Sequence, residues 1–340
     1  MKKLILLSLS LVVLSCKTAQ KSIAPTDFKI AFGSCNVQSE DQSYWNLIGS
    51  EEPDVFIWGG DNIYADTEDM AAMEEMYEQQ KTNPYYQKFI YNIDNQVYGT
   101  WDDHDYGVND GGEDWTFKDE SQQLFLDFFD VKDFERRRQK GVYHSVDFEV
   151  ASHQIKLIIL DTRYFRSALQ KASDPTKRFE ARKNSESTIL GAEQWKWLAN
   201  ELKESQADYN LIVSSIQVLS HEHGFETWGN FPLEEQKLED LLVKYQVKNP
   251  LILSGDRHLS EFSQKEIEGL ASPLTDFTSS GLTHAYTDFS GEDNAYRVGE
   301  VIPKTSYALI EFDFEKKELV LKMKSTKNNK LLQKLKLQMN

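Results

Sequence analysis

The stretch Tyr98–Asp110 reads YGTWDDHDYGVND and follows directly on residues 95–100, which have the character of a strand running into the interior. It concentrates four carboxylates, one imidazole and one amide in a few positions. A carboxylate at the end of a buried strand is tolerated only where a cation neutralises it. No lysine or arginine lies between Tyr91 and Phe117, so a metal ion is the natural candidate. The simpler alternative is an acidic surface loop rich in turn residues.

Three other predicted strands also end in groups that suit a metal. In α/β folds, ligands bind at the carboxyl ends of the strands. One such ending is common, whereas four at matching strand ends favour a shared site. The groups are Cys35 after residues 28–34, Asp61 and Tyr64 after residues 54–60, Asp103 and His104 after residues 95–100, and Asp256 and His258 after residues 249–255.

The fold class follows from the order of apolar runs along the chain. Continuous apolar runs indicate strands covered on both faces, and segments of helical periodicity lie between several of them. This alternation predicts an α/β layered fold. We place strands near residues 28, 54, 96, 155, 210 and 250, a hairpin at 143–160, antiparallel strands at 274–278, 307–314 and 319–324, and helices at 67–83, 85–92, 118–130, 191–204 and 233–245.

The types of donor group discriminate between metals. A thiolate and a phenolate together suit ferric iron, whereas carboxylate and amide oxygens suit calcium or another hard divalent ion. Asp61 is placed to bridge two ions. A pair of ions about 3.5–4 Å apart can hold a hydroxide and clamp a phosphoryl group during in-line displacement.

Other candidate residues allow more than one interpretation. The sequence Asp161-Thr162-Arg163-Tyr164-Phe165-Arg166 at a strand end fits an internal ion pair and a phosphate clamp equally well. His221 and His223 fit either a metal site or polar surface. Trp228 is a candidate for a substrate-facing wall, and residues 168–188 form a loop that lies either over the site or away from it.

Composition restricts the partners. The formal net charge of −17 leaves too few lysines and arginines to neutralise a nucleic-acid backbone, so we expect no nucleic-acid-binding surface. An acidic protein that handles a phosphorylated substrate needs bound cations at its site. With 340 residues, the chain is long enough to bury a sizeable core.

The N-terminal segment predicts export. Lys2 and Lys3 precede an apolar run at residues 4–14, which is too short for a permanent membrane span. The run ends in Val13-Leu14-Ser15-Cys16, which resembles a bacterial lipoprotein signal with Cys16 as the lipidated residue. We therefore predict a signal peptide at 1–15, a tether at 16–27 and a membrane-anchored domain at 28–340, periplasmic or at the cell surface. A plain secretory signal is the alternative.

Four motifs, in this order, resemble those of the PhoD-type alkaline phosphatases, a branch of the calcineurin-like metallophosphoesterases. They are Gly33-Ser34-Cys35, Gly60-Asp61-Asn62-Ile63-Tyr64, Trp101-Asp102-Asp103-His104-Asp105 and Gly255-Asp256-Arg257-His258. Leu160-Asp161-Thr162-Arg163 and the helix start at Leu190-Gly191 also look like this family. The similarity runs from about residue 28 to residue 325.

The resemblance implies a two-sheet β-sandwich flanked by helices, in α-β-β-α layers, with Fe3+ and Ca2+ at the site. By position, the iron ligands implied are Cys35, Asp61, Tyr64 and Asp256, with Asp61 also bridging. Asp103 corresponds to a ligand of the second metal, and Asn109 and His258 to calcium ligands or their supports. The sequence departs from the family at Asp105, where glutamate is usual, and at Asn109, which lies one residue further on.

The mechanism expected from the residues agrees with the resemblance. A metal-bound hydroxide attacks phosphorus at a binuclear site, and His104 or water protonates the departing alkoxide. Arg163 is assigned to catalysis, and Arg166 and Trp228 to substrate binding. No covalent phosphoenzyme is expected, because no serine or threonine in these motifs lies beside a base. The substrate expected is a phosphate monoester or diester.

Two other functions stay open. The first keeps the chemistry but acts on phospholipid or teichoic-type diesters, and the openness of the site beside residues 168–188 and Trp228 would decide it. The second is a non-catalytic surface lipoprotein that binds a ligand. It predicts broken metal positions, whereas the metal positions named above are all present.

Overall fold

A computed structural model describes residues 28–182, 184 and 186–339. The predicted signal peptide, the tether and Cys16 lie outside the described residues. Within the described part of the chain, no helix has both the length and the apolar character that crossing a membrane requires.

Eight α-helices, one short 3-10 helix (Trp228–Asn230) and fifteen strands are assigned in the described residues. The helices are α1 (Tyr44–Gly49), α2 (Met70–Lys81), α3 (Pro84–Asn92), α4 (Asp103–Tyr106), α5 (Lys118–Phe128), α6 (Phe134–Arg138), α7 (Gly191–Glu204) and α8 (Pro232–Lys244). The strands are β1 (Phe28–Gly33), β2 (Val55–Gly59), β3 (Val97–Thr100), β4 (His144–Val150), β5 (His153–Ile159), β6 (Gln170–Lys171), β7 (Phe179–Glu180), β8 (Tyr209–Ser214), β9 (Pro250–Ser254), β10 (Ser260–Lys265), β11 (Leu274–Ser279), β12 (Arg297–Ile302), β13 (Ser306–Asp313), β14 (Glu318–Ser325) and β15 (Leu331–Gln338).

Two large sheets form the framework. One has the strand order β15-β14-β13-β1-β2-β3, and the other has the order β12-β10-β11-β9-β8-β5-β4. The strands β1, β2 and β3 are parallel neighbours in the first sheet, and β5, β8 and β9 are parallel neighbours in the second. The strands β6 and β7 pair only with each other.

Alternation of side chains along single strands defines the layers. In β1, Ile30 and Phe32 pack in a core shared with β5, β8 and β9, while Ala31 packs with the helices α1, α2, α3 and α5. In β5, Leu157 faces the shared core, while Ile158 packs with α7 and α8. Successive residues of a strand point to opposite faces. The sheets therefore lie face to face with helices outside both, which confirms the predicted α-β-β-α sandwich.

The two sheets are joined where their parallel strands end. The Thr100 hydroxyl, at the end of β3, donates to the carbonyl of Leu160 after β5, at 2.7 Å. The Leu282 N–H donates to the carbonyl of Ser34 after β1, at 3.0 Å. These bonds bring the residues that follow the strands of both sheets to one end of the sandwich.

Candidate metal centre

Four of the predicted ligands lie in sharp turns. The φ angles of Cys35, Asp61, Asp256 and His258 are 60°, 51°, 69° and 53°. Non-glycine residues adopt this left-handed conformation rarely, at a cost on the order of 1 kcal/mol or more each, and it concentrates at functional sites. Cys35, Asp61 and Asp256 each lie two residues beyond the end of a strand, and His258 follows two residues after Asp256.

A first set of donors surrounds the Asp61 carboxylate. Its Oδ2 lies 3.3 Å from Cys35 Sγ and 3.1 Å from Tyr64 Oη. Tyr64 Oη lies 3.0 Å from His258 Nε2. The thiol, a carboxylate oxygen and an imidazole nitrogen of Cys35, Asp61 and His258 lie within 4.8 Å of one another, which is compatible with one ion held between them.

Further sets of donors share Asp61 or Asp103. Asp61 also groups with Asp103 and His104, and Asp103 groups with Asp102 and Asp256. The Asp256 carboxylate therefore lies with these aspartates, while its backbone oxygen lies 3.8 Å from Cys35 Sγ. Asp61 thus connects the thiol-containing set to the carboxylate set, as a bridging ligand would.

Two carboxylate oxygens in these sets have no hydrogen-bond partner in the described part of the chain and are available to bind a cation. Among the described residues, Oδ2 of Asp102 and Oδ1 of Asp103 are buried atoms without a hydrogen-bond partner. Buried carboxylate oxygens are ordinarily paired, because desolvation without compensation costs a few kcal/mol. Hard oxygen donors that point at each other across a short gap therefore fit one or more divalent or trivalent cations.

Burial keeps these acids from ionising unaided. It raises the pKa of Asp61 and of Asp256 well above its usual range, and it raises the pKa of the Cys35 thiol to about 11. Metals bind the deprotonated forms of these side chains. A bound cation supplies the charge that makes the deprotonated forms favourable in this place.

His104 lies over the donor sets with a fixed orientation. Its Nδ1 lies 2.6 Å from Asp66 Oδ2, and its ring stacks on Tyr64 at 4.2 Å between centroids. Burial acts to lower the pKa of His104, but the hydrogen bond to Asp66 and the nearby carboxylates of Asp61 and Asp103 raise it to about 10. The hydrogen bond to Asp66 therefore favours the protonated imidazole over the neutral ring.

The structure places Arg163 and Arg166 inside the protein, behind the site. Nε of Arg163 donates to Asp102 at 2.6 Å and its Nη1 donates to Glu226 at 2.6 Å, while Nε of Arg166 lies 2.8 Å from the same Glu226. Both guanidinium groups are essentially unexposed. Of the two interpretations of this sequence, the structure therefore supports the internal ion pair. The prediction that Arg163 and Arg166 contact the substrate is wrong, because both side chains are buried against carboxylates.

The structure also corrects the interpretation of Trp228. Its ring is fully buried, and its indole N–H donates to the Ser214 hydroxyl at 3.0 Å. The ring packs edge-on against Trp195, so it belongs to the core beneath α7 and α8 and forms no wall of the site.

Three further candidates occupy the periphery. Asn109 is exposed and donates to the Asp110 carboxylate at 2.9 Å, beside the donor sets, where its role as a ligand stays a prediction. His221 pairs with Glu235, and His223 contacts the carbonyl of Ser220. Neither histidine belongs to a group of possible metal donors found among the described residues.

His284 is a donor that the sequence did not reveal. Its Nε2 lies 3.2 Å from both Tyr64 Oη and His258 Nε2, so the three atoms form a small triangle. The residue follows β11, which pairs with β9, the strand that leads to Asp256. Polar residues after the predicted strand at 274–278 were the available indication.

An open cleft of about 460 Å3 gives access to these groups. Its lining includes donor residues and also residues from three loops. The lining residues are Asp103, His104, Asn109, Asp110, Arg178, Phe225, Glu226, Asp256, Arg257, His258, Ala285, Tyr286, Thr287 and Asp288.

The two-sheet sandwich and the thiol, carboxylate and imidazole groups at its strand ends are the features of a metallophosphoesterase. The chain belongs to the PhoD-like phosphatase family, whose model matches residues 30–298. It is 25% identical over 118 residues to alkaline phosphatase D of Bacillus subtilis (strain 168), a match that covers 32% of this chain and 20% of that protein. The chain thus matches about a fifth of the length of this curated relative.

Two solved structures share the fold at low identity. A structure of PhoD superposes with a TM-score of 0.65 at 16% identity, covering 92% of this chain and 68% of that one. The structure of GAP50, described as the anchor in the inner membrane complex of Plasmodium, gives a TM-score of 0.60 at 14% identity, covering 92% and 89% of the two chains. Both support the sandwich architecture.

Proposed function

We propose that the protein hydrolyses phosphate monoesters or diesters, as an alkaline phosphatase or phosphodiesterase, at a centre of two metal ions. The observation that carries the proposal is the position of Asp61. Its carboxylate lies in one set of donors with Cys35 and His258, and it also groups with Asp103, which forms a further set with Asp102 and Asp256. A carboxylate shared in this way is what a two-ion site requires.

The donor chemistry supports a different metal on each side of Asp61. Cys35 and Tyr64 suit Fe3+, and His258, which the family resemblance assigned to the calcium side, joins them because it groups with Cys35 and Asp61. Asp256, which the resemblance assigned to iron, groups instead with Asp102 and Asp103, and these carboxylates with Asn109 suit Ca2+ or another hard divalent ion. When bound, the two ions supply positive charge for the phosphoryl oxygens and Lewis-acid activation of the attacking water.

His104 carries the proton for the leaving group. Its Nδ1 is engaged by Asp66, so Nε2 is the ring nitrogen assigned to the departing oxygen. The charged imidazolium also lies beside the aspartates and stabilises negative charge that develops in the transition state. Arg163 contributes from behind, because its bond to Asp102 fixes one of the clustered carboxylates.

The protein acts outside the cytoplasm, as a lipoprotein anchored through Cys16. The support is the sequence of residues 1–16, with two lysines, an apolar run and the cysteine. Labelling with a radioactive fatty acid tests this part: the parent protein takes up label and fractionates with membranes, and Cys16→Ala does neither. An unlabelled, membrane-free parent protein would contradict the anchor.

Elemental analysis and hydrolysis assays test the enzymatic proposal together. The purified protein is expected to retain two metal ions per chain and to hydrolyse a chromogenic monoester, a diester or both. Asp61→Asn is expected to lose metal and activity, whereas Asp130→Asn, which changes an exposed acid on the surface, is expected to keep both. A folded protein that holds no metal and cleaves neither ester would overturn the proposal.

A further inference from the structure

Two loops meet at the edge of the cleft and bring a cation and an aromatic ring together. The carbonyl of Gly224 accepts the N–H groups of Arg178 and Phe179, both at 2.9 Å. Arg178 and Phe225 flank this junction, and both side chains line the cleft. These two hydrogen bonds therefore hold the two loops together. Arg178 and Phe225 line the same cleft as Asp110 and His104.

Phe225 is an exposed ring with a rigid support. It is 39% exposed, and the guanidinium of Arg257 lies 4.3 Å from its centroid. Arg257 is itself fixed, because Glu292 holds its Nη2 at 2.8 and 3.0 Å. A large apolar side chain that stays exposed in a cleft, held by its neighbours, is a surface on which a flat ligand can stack.

Tyr286 adds a second exposed ring to the lining. It is 36% exposed, and its backbone N–H donates to the carbonyl of His258 at 2.7 Å. The bond ties the tyrosine loop directly to a donor residue of the candidate centre. The lining of the cleft therefore carries two aromatic side chains, Phe225 and Tyr286.

Arg178 is the cation available to a ligand. Its side chain is 51% exposed and pairs with the carboxylate of Asp110, whereas the side chain of Arg257 is 5% exposed and committed to Glu292. The guanidinium of Arg178 is suited to a bidentate contact with a phosphate group. The sequence suggested this contact for Arg166, which is buried.

We propose that the cleft selects phosphate esters whose alcohol carries a flat aromatic ring, as in aryl phosphates and nucleotides. Phe225 and Tyr286 pack on the ring, and Arg178 pairs with the phosphate. The volume of about 460 Å3 leaves room for such a group beside the donor sets. This inference rests on the proposed function for its phosphoryl chemistry, but the aromatic subsite is measurable by binding alone.

Paired phosphonates test the subsite in the metal-loaded protein. Phenylphosphonate and methylphosphonate carry the same charged group and differ by the ring, and calorimetry measures the Kd of each without hydrolysis. Phenylphosphonate is expected to bind about tenfold more tightly. Phe225→Leu, which keeps an apolar side chain but removes the flat ring, is expected to abolish most of that preference.

Two further variants separate ring from charge. Arg178→Met is expected to weaken both phosphonates by a similar factor and to leave their ratio unchanged. Phe134→Leu, which changes an aromatic side chain that is 65% exposed and does not line the cleft, is expected to alter neither affinity.

Adenosine 5′-monophosphate against ribose 5-phosphate asks the same question for nucleosides, with KM taking the place of Kd where the two esters are hydrolysed. A preference in either pair that Phe225→Leu removes supports the subsite and identifies the source of the ring. Equal affinities within both pairs, or a preference that survives in both Phe225→Leu and Tyr286→Leu, would overturn it. Ring-selective binding without ester hydrolysis would contradict the proposed function but support the aromatic subsite. Ester hydrolysis without ring selectivity would support the proposed function and contradict the aromatic subsite.

Discussion

The carboxylate of Asp105 accepts the backbone N–H of Asp61 at 3.2 Å, although the two residues follow different strands. The same carboxylate accepts the N–H of Asn62 at 3.1 Å and the N–H of Asp102 at 2.6 Å. Asp105 therefore ties the turn after β2 to the turn after β3. It thereby orients Asp61 and Asp102, although Asp105 itself belongs to none of the groups of possible metal donors found among the described residues.

This relationship predicts that Asp105→Asn loosens the metal centre. An amide offers one acceptor oxygen and turns two donor hydrogens toward N–H groups that need acceptors. Groups that orient metal ligands typically change metal affinity about 10- to 100-fold when they are replaced. Metal retained after dialysis against a graded chelator measures the loss, and Asp105→Glu is expected to retain more metal than Asp105→Asn. Equal retention in Asp105→Asn and the parent protein would show that the turns are held by other contacts.

How far the sequence predicted this centre depends on whether its residues are joined by local or by distant contacts. Asp61 and Asp103 follow apolar runs, so their positions at strand ends could be inferred from neighbouring residues. His284 could not be found in this way, because its proximity to His258 depends on β11 pairing with β9. The fold class could also be predicted from neighbouring residues, because the periodicity of apolar residues along the chain indicates which faces of its strands and helices are buried.

The sequence did not determine whether certain side chains lie in the core or line the cleft. A tryptophan in a loop has the same sequence context whether it lines a cleft or fills a core, and Trp228 fills a core. The role of Arg163 depends on Glu226, which lies 63 positions away in the chain. Strand β15 was also missed. It lies at the edge of its sheet, where lysines and glutamines interrupt the apolar pattern.

Arg163→Met is predicted to be strongly destabilising. The change removes the guanidinium that pairs with the buried carboxylates of Asp102 and Glu226, and breaking a buried ion pair in this way costs about 3–5 kcal/mol. Urea unfolding followed by tryptophan fluorescence measures the free energy. Arg178→Met is the matched control, because its half-exposed pair with Asp110 is expected to contribute about 1 kcal/mol or less. Similar losses in the two variants would contradict the internal ion network.

His284→Ala is predicted to weaken binding on the thiol side of the centre. The imidazole lies 3.2 Å from Tyr64 Oη and from His258 Nε2, so its removal takes away either a ligand or the partner that orients two of them. We expect iron content to fall, with calcium content less affected. His153→Ala, at the opposite end of β5 and stacked on Phe314, is the control. Unchanged iron in His284→Ala would remove this histidine from the centre.

His144 is predicted to make the folded protein sensitive to acid. Burial, helped by the positive charge of Arg136, lowers its pKa from 6.5 to about 3, while its Nδ1–H donates to the carbonyl of Val142 at 3.0 Å. In the unfolded chain the imidazole takes up a proton below about pH 6.5, whereas in the folded protein it stays neutral. The unfolded state therefore binds more protons between these values, and stability falls as the pH drops from about 6.5 toward 3.

A variant isolates this contribution from the other titrating groups. His144→Asn keeps a donor near the position of Nδ1 and removes the titration, so any packing cost is the same at every pH. Between pH 7 and pH 5 the parent protein is expected to lose about 1–2 kcal/mol more than the variant does. Urea unfolding at several pH values measures the difference. Because only a group that titrates differently in the two states changes the slope, parallel curves would mean that His144 is protonated equally in both.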